Sequence, residues 1–397
     1  MPGGVIRIET IENVVDFEKL REEWDAVLKA SASGCLFLTW DWLHTWWKHL
    51  SDGRQLFIIT ARCDGELVAI APLALRPRRL SRLLPVRSLG FLGTGSVGSN
   101  YLDVIIRHGK EQEALQAMTN YLVRGKLMLE LAELRGNSSF AAMLAAQLRR
   151  RGWRIREAQS NVSPFIKLSE HSWQSYLATL GAEHRYNFQR RLRNLTKEFD
   201  VRFERVLTEE QQREALASLV TLHNLRWRDR GGSSALHTPS LQAFHEEMSR
   251  LALERGWLRL FILRLDGQPA AALYGFRYRR TFYFYQSGFD PNYSKYSVGL
   301  VTMGLAIKSA LEEGAEEYDF LGGDERYKFH WARDVRELRR LELYPPGARG
   351  WLFKGVMVLR QAARRMARRI LPDTIVERIA AGRGIGVWKE FYAACSR

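Results

Sequence analysis

Residues 281–331 read TFYFYQSGFDPNYSKYSVGLVTMGLAIKSALEEGAEEYDFLGGDERYKFHW, and this stretch decides how the chain folds. It opens with an apolar, aromatic run from Thr281 to Phe289, which predicts a buried strand. Apolar residues then recur at helical spacing from Leu300 to Leu311, until a glycine ends the helix. A second short strand is predicted over Glu317 to Leu321. Strand, helix and strand together predict a βαβ-like unit.

The start of the predicted helix is suited to an anion. Backbone N–H groups and the positive end of the helix dipole lie at a helix N-terminus, where a diphosphate can bind. Lys295 adds a positive charge there, and Gly299 allows close approach. The predicted donor-binding residues are Gln286, Lys295, Tyr296, Ser297, Val298 and Gly299.

A polar loop, Gly322 to Lys328, follows the second strand and carries two adjacent carboxylates, Asp324 and Glu325. A carboxylate can take a proton from an attacking amine or hydroxyl, and the Lys328 ammonium can balance anionic charge. The predicted catalytic residues are Asp319, Asp324, Tyr327 and Lys328. The structural alternatives are a core-edge hydrogen-bonding role for Asp319 and a simple salt bridge for Lys328.

Composition limits the class of protein. A chain of 397 residues with 46% hydrophobic residues can bury the cores of two or three domains. Its net charge of +16 favours an anionic partner. The three cysteines show no metal-ligand spacing, so we expect no bound metal, no disulfide scaffold and a cytoplasmic location. We also expect neither a secretory signal nor a membrane-spanning helix.

Several common active sites lack their motifs. The sequence contains no Walker A loop, no GxSxG elbow and no HExxH. Gly93 to Gly98 matches GxGxxG, but a strand is predicted next, over Tyr101 to Ile106, where a dinucleotide-binding motif requires a helix. We therefore interpret this segment as a turn. Direct transfer between bound partners remains, with the protein supplying position and electrostatics.

The order of predicted elements occurs twice. In both halves, two helices precede a strand, an Asp-Gly turn and a second strand; a third strand, a helix and a fourth strand follow. The turns are Asp64-Gly65 and Asp266-Gly267, and the first helix of the first half is predicted over Asp16 to Ala30. Such a repeat predicts two tandem α/β (α+β) domains, at residues 1–160 and 161–345, followed by a basic helical tail, 346–397.

Three further segments have open interpretations. Arg185 and Arg190 lie on a basic helix that either binds an anionic substrate or is a solvated face. Residues 351–371 are predicted to form a basic amphipathic helix that either lies on an anionic membrane surface or packs against the protein. The tryptophans Trp42, Trp46 and Trp47 are either core residues or a stacking platform for an acceptor sugar.

At these residues the chain resembles the CelD/BcsL-type (BioF2-like) acetyltransferase domain of the GNAT superfamily. The resemblance covers most of the chain, and its last motif is the most specific. The matching segments are Phe37-Leu38-Thr39 with Trp42 and Trp46-Trp47, Arg185–Leu195, Leu225-Arg226-Trp227, Leu265-Asp266-Gly267, Ser297-Val298-Gly299, Tyr318–Gly322, Tyr327-Lys328 and Trp331.

This resemblance implies two tandem GNAT-like domains, each a mixed, mainly antiparallel sheet flanked by helices. It also implies an acyltransferase that uses acyl-CoA, such as acetyl-CoA, as co-substrate and acts on a sugar, polysaccharide or envelope precursor. Trp227 and Trp331 join Arg185 and Arg190 as predicted substrate-binding residues. Only Ser297-Val298-Gly299 remains of the usual acyl-CoA signature.

Two alternatives stay open. Fem peptidyltransferases share the tandem architecture, use aminoacyl-tRNA, and carry a lysine similar in placement to Lys328. The other alternative is a non-catalytic factor for polysaccharide (cellulose) biosynthesis, held peripherally at the inner membrane by residues 351–371.

Overall fold

The computed structural model describes residues 5–76, 87–136, 139–227, 236, 238–347, 350 and 355. These residues divide into two compact units. The first comprises residues up to 161 and from 337 onward, and the second comprises residues 162–336. The predicted basic helix at 351–371 lies outside the described residues, apart from Gly355.

The first unit begins with one strand and three helices, continues with six successive strands, and ends with helices on either side of a further strand. Its elements, in chain order, are β1 (Ile6–Ile11), α1 (Val14–Lys19), α2 (Arg21–Lys29), α3 (Trp40–Leu50), β2 (Gln55–Leu56), β3 (Ile58–Cys63), β4 (Glu66–Ala71), β5 (Leu73–Leu75), β6 (Ser88–Phe91), β7 (Ile105–Ile106), α4 (Glu111–Gly125), β8 (Met128–Arg135) and α5 (Phe140–Arg150). Strand β9 (Arg154–Lys167) then carries the chain into the second unit.

The second unit has a similar order of elements, preceded by two further helices and with fewer strands. Its elements are α6 (Trp173–Thr179), α7 (Ala182–Glu198), β10 (Val201–Arg205), α8 (Glu209–Trp227), α9 (Pro239–Glu254), β11 (Leu258–Leu265), β12 (Gln268–Tyr278), β13 (Thr281–Phe289), α10 (Val298–Glu312), β14 (Glu317–Asp319), α11 (Arg326–Trp331) and the start of β15 (Asp334–Tyr344). The end of β15 returns to the first unit.

Each unit contains a mixed sheet with mainly antiparallel pairing. In the second unit the strand order is β10-β11-β12-β13-β14-β9, and only β13 and β14 are parallel among the described pairs. In the first unit β6 and β8 are parallel within the order β15-β8-β6-β5-β2, and a second sheet has the order β1-β3-β4-β7. The predicted fold class, with tandem mixed sheets flanked by helices, is confirmed.

The repeat prediction holds for the two hairpins. Asp64-Gly65 and Asp266-Gly267 all have positive φ values, which a tight two-residue hairpin turn requires. Thr39 caps α3, because its hydroxyl accepts the N–H of Trp42. Trp42 and Trp46 are almost fully buried, so the structure favours the core interpretation of this aromatic group.

Four predicted boundaries were wrong. The helix predicted over Asp16 to Ala30 is two helices that meet at Leu20. The strand predicted over Tyr101 to Ile106 is reduced to β7, since Tyr101 has a left-handed φ of 59°. Strand β14 ends at Asp319, because Leu321 also has a left-handed φ, of 56°. The predicted polar loop 322–328 includes the start of a short helix, α11.

Helix α8 lies unusually close to β13. A Cβ atom added to Gly288 would overlap the backbone nitrogen of His223 and lie 2.7 Å from the carbonyl carbon of Leu222. Backbone atoms cannot rotate away as a side chain can, so this position requires glycine.

We therefore expect Gly288→Ala to lower the free energy of unfolding by about 1–3 kcal/mol, because α8 must move off the sheet. Chemical denaturation followed by circular dichroism measures this. Gly125→Ala, at the end of α4 with no atom within 4 Å of the added Cβ, is the matched control and should be neutral or slightly stabilising. Equal stability of the two variants would contradict the close α8–β13 contact.

Candidate active site

The site is built on the divergence of β13 and β14. Their parallel pairing covers three residue pairs and ends with Tyr283 opposite Asp319. Strand β13 continues to Phe289, whereas the chain after Asp319 follows β9: Phe320 N–H donates to Pro164 O at 3.0 Å, and Gly323 N–H donates to Val162 O at 2.8 Å. The two strands therefore separate at the sheet edge from which α10 starts.

The N-terminus of α10 is open. Ser297 precedes it in a left-handed conformation (φ 56°, ψ 45°), and its side chain makes no capping hydrogen bond. The first turn contains no acidic residue. Since the first N–H groups of a helix have no intrahelical acceptor, this end can hold an anion through backbone donors and the dipole.

Two of the predicted donor-binding side chains are core residues. Tyr296 is 9% exposed, with its hydroxyl donating to Glu198, and Val298 is 1% exposed. Both pack in one apolar cluster with Leu195 and Leu263. These two residues can therefore offer a ligand backbone groups alone.

Lys295 and Gly299 are better placed for a ligand. Lys295 is exposed, and its ammonium lies 4.6 Å from the centroid of the Tyr296 ring. Interaction with Tyr296 raises the pKa of Lys295, so the ammonium stays charged near neutral pH. Gly299 packs on Phe289: an added Cβ would lie 3.2 Å from that ring. Gln286 is buried on β13, where its Oε1 accepts the N–H of Ser287 at 2.9 Å.

Arg226 is a further cation in this region that motif reasoning did not assign to the site. Its guanidinium carbon lies 5.0 Å from the centroid of the Phe289 ring, and Nη1 donates to the Ser287 hydroxyl at 3.4 Å. Gly299 lies against the same phenylalanine, so α8 brings a positive charge near the start of α10. Arg226 could have been found from the sequence by its position next to Trp227, which was a predicted substrate-binding residue. The side chain of Trp227 itself lies outside the described part of the chain.

Asp319 is fully buried, and groups on β9, on β15 and in the turn after β14 hold its carboxylate. One carboxylate oxygen accepts the Ser163 hydroxyl at 2.9 Å and the Leu321 N–H at 2.7 Å. The other lies 3.2 Å from Nη1 of Arg336, which also pairs with Glu317. Asp319 thus fixes the turn after β14, as the structural alternative predicted.

Lys328 and Glu325 form a buried ion pair. Both side chains are less than 5% exposed, and Nζ lies 2.9 Å from Oε2 of Glu325, although the angle is outside hydrogen-bond geometry. The ammonium also donates to the carbonyl oxygens of Gly322 at 3.1 Å and Leu321 at 3.4 Å. Lys328 therefore holds the loop 321–325 together.

Gly323 makes this arrangement possible. It has a φ of 141°, and an added Cβ would overlap Oε2 of Glu325 and lie 2.6 Å from Nζ of Lys328. Within the same loop, Asp324 is exposed and Tyr327 is half-buried against the core. Asp324 is therefore the carboxylate that the loop presents to solvent.

The predicted substrate-binding residues occupy different environments. Arg185 donates to the carbonyl oxygens of Leu177 and Ala178 at the end of α6. Arg190 is half-buried, and Nη2 donates to Asn187 Oδ1 at 3.2 Å.

Trp331 is a core residue. It is 3% exposed, and its ring packs edge-on against Phe188 and His184. Burial, together with the nearby His330, lowers the pKa of His184 to about 4, so His184 is neutral near pH 7. This group therefore packs α11 against α7, and a substrate-binding role for Trp331 stays a prediction.

Neither a metal cluster nor a transmembrane helix is found in the described ranges. No three His, Cys, Asp or Glu side chains there come together as metal ligands. Of the helices in the same ranges, none combines the length and hydropathy that crossing a bilayer demands.

Comparisons with known proteins identify the kind of domain that contains this site. Residues 182–329 match the model of the acetyltransferase (GNAT) domain. This segment contains α10, the β13–β14 divergence and Lys328. The match confirms that the chain carries a GNAT-type acetyltransferase domain and, with it, the prediction of an acyltransferase enzyme. A search of curated proteins finds no match.

Solved structures share the fold over most of the chain. The crystal structure of FemX has a TM-score of 0.59 at 13% identity, covering 84% of this chain and 96% of FemX. A conserved protein of unknown function from Bacteroides thetaiotaomicron has a TM-score of 0.53 at 12% identity, covering 85% of this chain and 100% of that protein. At these identities the likeness concerns the fold alone.

We expect that removing one member of the buried Glu325–Lys328 pair lowers the stability of the protein. Lys328→Met leaves the Glu325 carboxylate buried without its cation and should lower the free energy of unfolding by about 3–5 kcal/mol. The double variant Lys328→Met/Glu325→Gln removes both charges and should recover most of that loss. Urea denaturation of wild type, both single variants and the double variant gives the coupling free energy.

Additive losses in this cycle would contradict the ion pair. The double variant also separates structure from chemistry. If it folds like the wild type but transfers no acyl group, the Glu325–Lys328 pair has a role in the reaction besides holding the loop.

Proposed function

We propose that the second unit transfers an acyl group from acyl-CoA, in the simplest case acetyl-CoA, to an amine or hydroxyl of a sugar, polysaccharide or envelope precursor. The observation that carries this proposal is the open N-terminus of α10 beside the diverging strands β13 and β14. The CelD/BcsL-type assignment, a cytoplasmic location and a peripheral contact with the inner membrane are further parts of the proposal.

The residues at this helix end fit a diphosphate. Gly299 has no side chain to obstruct it. Positive charge comes from Arg226, which lies over the Phe289 ring, and from Lys295, which lies over the Tyr296 ring. The Ser297 side chain caps none of the first N–H groups of α10, although the Ser297 carbonyl oxygen accepts the N–H of Leu300 at 2.9 Å.

The chemistry needs a base near the acceptor. Bound acyl-CoA supplies a thioester, whose carbonyl carbon the acceptor attacks while the CoA thiol leaves. Asp324 is the exposed carboxylate of the loop and can take the proton that the acceptor loses. Lys328, Glu325 and Asp319 hold the loop that carries it. No covalent enzyme intermediate is required.

The pair Gly299→Asp and Gly299→Asn tests the donor site. Both side chains meet Phe289 equally, but only aspartate places a negative charge at the helix N-terminus. This charge repels a diphosphate while favouring the helix itself. We expect the Asp variant to bind acetyl-CoA at least roughly tenfold more weakly than the Asn variant without loss of thermal stability. Calorimetric titration measures both affinities; equal affinities would place the diphosphate elsewhere.

Aminoacyl-tRNA is the second candidate donor, favoured by the net charge of +16 and by the FemX-like fold. Filter binding of charged tRNA to the wild type, across a range of salt concentrations, distinguishes the two donors. Tight tRNA binding that weakens steeply with salt, together with no acetyl-CoA binding, would overturn the proposal.

Asp324→Asn tests the base. With the donor established, kcat should fall by about 10²–10⁴-fold with little change in KM, because the variant removes proton acceptance and keeps the shape. Its stability should not change, since Asp324 is exposed. Glu312→Gln, at the opposite end of α10, is the control that removes another surface carboxylate. Wild-type kcat in the Asp324 variant would assign the base to another group.

A further inference from the structure

The end of α10 opposite the proposed donor site carries a cluster of arginines. Helix α10 has 15 residues, so its two ends lie about 22 Å apart. Glu313 is the C-cap residue. Three arginines surround its carboxylate: Arg205 of β10, Arg259 of β11 and Arg277 of β12. None of these residues belongs to the predicted donor, catalytic or substrate-binding set, so the cluster needs an explanation apart from the acyltransferase site.

Arg259 forms the buried base of the cluster. Its side chain is 5% exposed, and both Nε and Nη2 lie 2.7 Å from Oε2 of Glu313. Its Nη1 donates to the carbonyl oxygens of Gly256 at 2.9 Å and Leu258 at 2.8 Å. Every nitrogen of this guanidinium therefore has an acceptor, and Arg259 alone is enough to neutralise the Glu313 carboxylate.

Arg205 and Arg277 are the accessible members of the cluster. Their side chains are 34% and 28% exposed. Nη1 of Arg205 donates to Oε1 of Glu313 at 3.3 Å, whereas Nη1 of Arg277 lies 3.9 Å from Oε2, beyond hydrogen-bond distance. Within the described residues, the Arg277 guanidinium donates to no protein acceptor. The Nε atoms of both arginines are buried, so the terminal nitrogen atoms are the ones that a ligand can reach.

The charges in this cluster do not balance. Three guanidinium groups face one carboxylate and the C-terminus of α10, which itself contributes about half a negative charge. The cluster therefore keeps a net charge of about +1.5, opposite in sign to a phosphate monoester, which carries about −1.5 to −2 near pH 7. Arg280, on the neighbouring hairpin, is paired with Glu316 and leaves this excess unchanged.

The pKa of Arg259 reflects the same excess of positive charge. Burial lowers this pKa, the Glu313 carboxylate raises it, and the charges of Arg205 and Arg277 lower it again. Arginine is suited to an oxyanion, because its planar guanidinium can donate two parallel hydrogen bonds to a phosphate. Two accessible guanidinium groups that meet at one carboxylate can therefore bind a phosphate together.

We propose that Arg205 and Arg277, with Arg259 behind them, form a second anion site, which binds a phosphate group at the Glu313 end of α10. The phosphate belongs either to a small molecule or to a lipid headgroup, and the chemistry of recognition is the same for both. Glu313 competes with the ligand for these arginines and so limits its affinity. The proposal goes beyond acyl transfer and does not depend on it.

Calorimetric titration of the full-length protein with inorganic phosphate, at constant ionic strength set by sodium chloride, tests the site. We expect saturable binding on the order of millimolar. Arg205→Gln and Arg277→Gln should each weaken it at least about fivefold, because each removes a charge-assisted donor. Both side chains are partly exposed, so both variants should fold. Lys295→Gln, the matched control, removes one cation from the donor site and should leave this binding unchanged.

Glu313→Gln gives a result that a merely structural cluster would not. It removes the competing carboxylate and keeps the shape, so phosphate should bind at least about fivefold more tightly than to wild type. Phosphate should also raise the melting temperature of this variant more than that of wild type. Absence of saturable binding to the wild type overturns the site, and so does binding that Arg205→Gln and Arg277→Gln both leave unchanged.

Vesicles distinguish the two sources of phosphate. Co-sedimentation with phosphatidylglycerol vesicles that is absent with phosphatidylcholine vesicles, and lost in the double variant Arg205→Gln/Arg277→Gln, assigns the phosphate to a lipid headgroup. Equal sedimentation of the wild type and the double variant, together with inorganic phosphate binding that the arginine variants weaken, assigns it to a small molecule.

Discussion

The second unit depends on a short parallel pairing, in which Thr281, Phe282 and Tyr283 of β13 lie opposite Glu317, Tyr318 and Asp319 of β14. Parallel neighbours require a crossover connection, and α10 is that crossover. The helix must then begin where β13 ends, at the edge where β14 turns away. Stacking of Phe282 on Tyr318, with ring centroids 4.6 Å apart, stabilises the pairing in the core. An open helix N-terminus and the separated strands are thus consequences of one constraint.

The two units have similar element orders but differ at the helix that follows their strand series. In the first unit, α4 has Glu111 and Glu113 in its first turn, and hydrogen bonds from backbone N–H groups lower the pKa of Glu111. An internal carboxylate thus already occupies the helix end that would attract an external anion. Helix α10 has no acid in its first turn. This difference supports placing the donor in the second unit.

Sequence patterns predicted the parts of the fold that local chemistry determines. The Asp-Gly turns were predicted from residue type and spacing and were confirmed, and the capping of α3 by Thr39 has the same local origin. The end of β14 was not predictable in this way, because the left-handed conformation of Leu321 depends on the bond from its N–H to the buried Asp319. Helix α11 was missed for a similar reason, since α7 packing against Trp331 contributes to its stability.

The candidate site also shows what local sequence patterns cannot predict. Spacing alone makes Glu325 and Lys328 resemble an ordinary surface pair at i and i+3, and a surface pair contributes little to stability. Their burial comes from Gly323, which leaves room for both side chains, and from β9, which accepts the N–H of that glycine. A lysine with its ammonium committed to a carboxylate and two carbonyl oxygens must give up one of them to reach a substrate. The same contacts that place the loop therefore restrain Lys328, and they leave Asp324 as the loop carboxylate that can meet an acceptor without prior rearrangement.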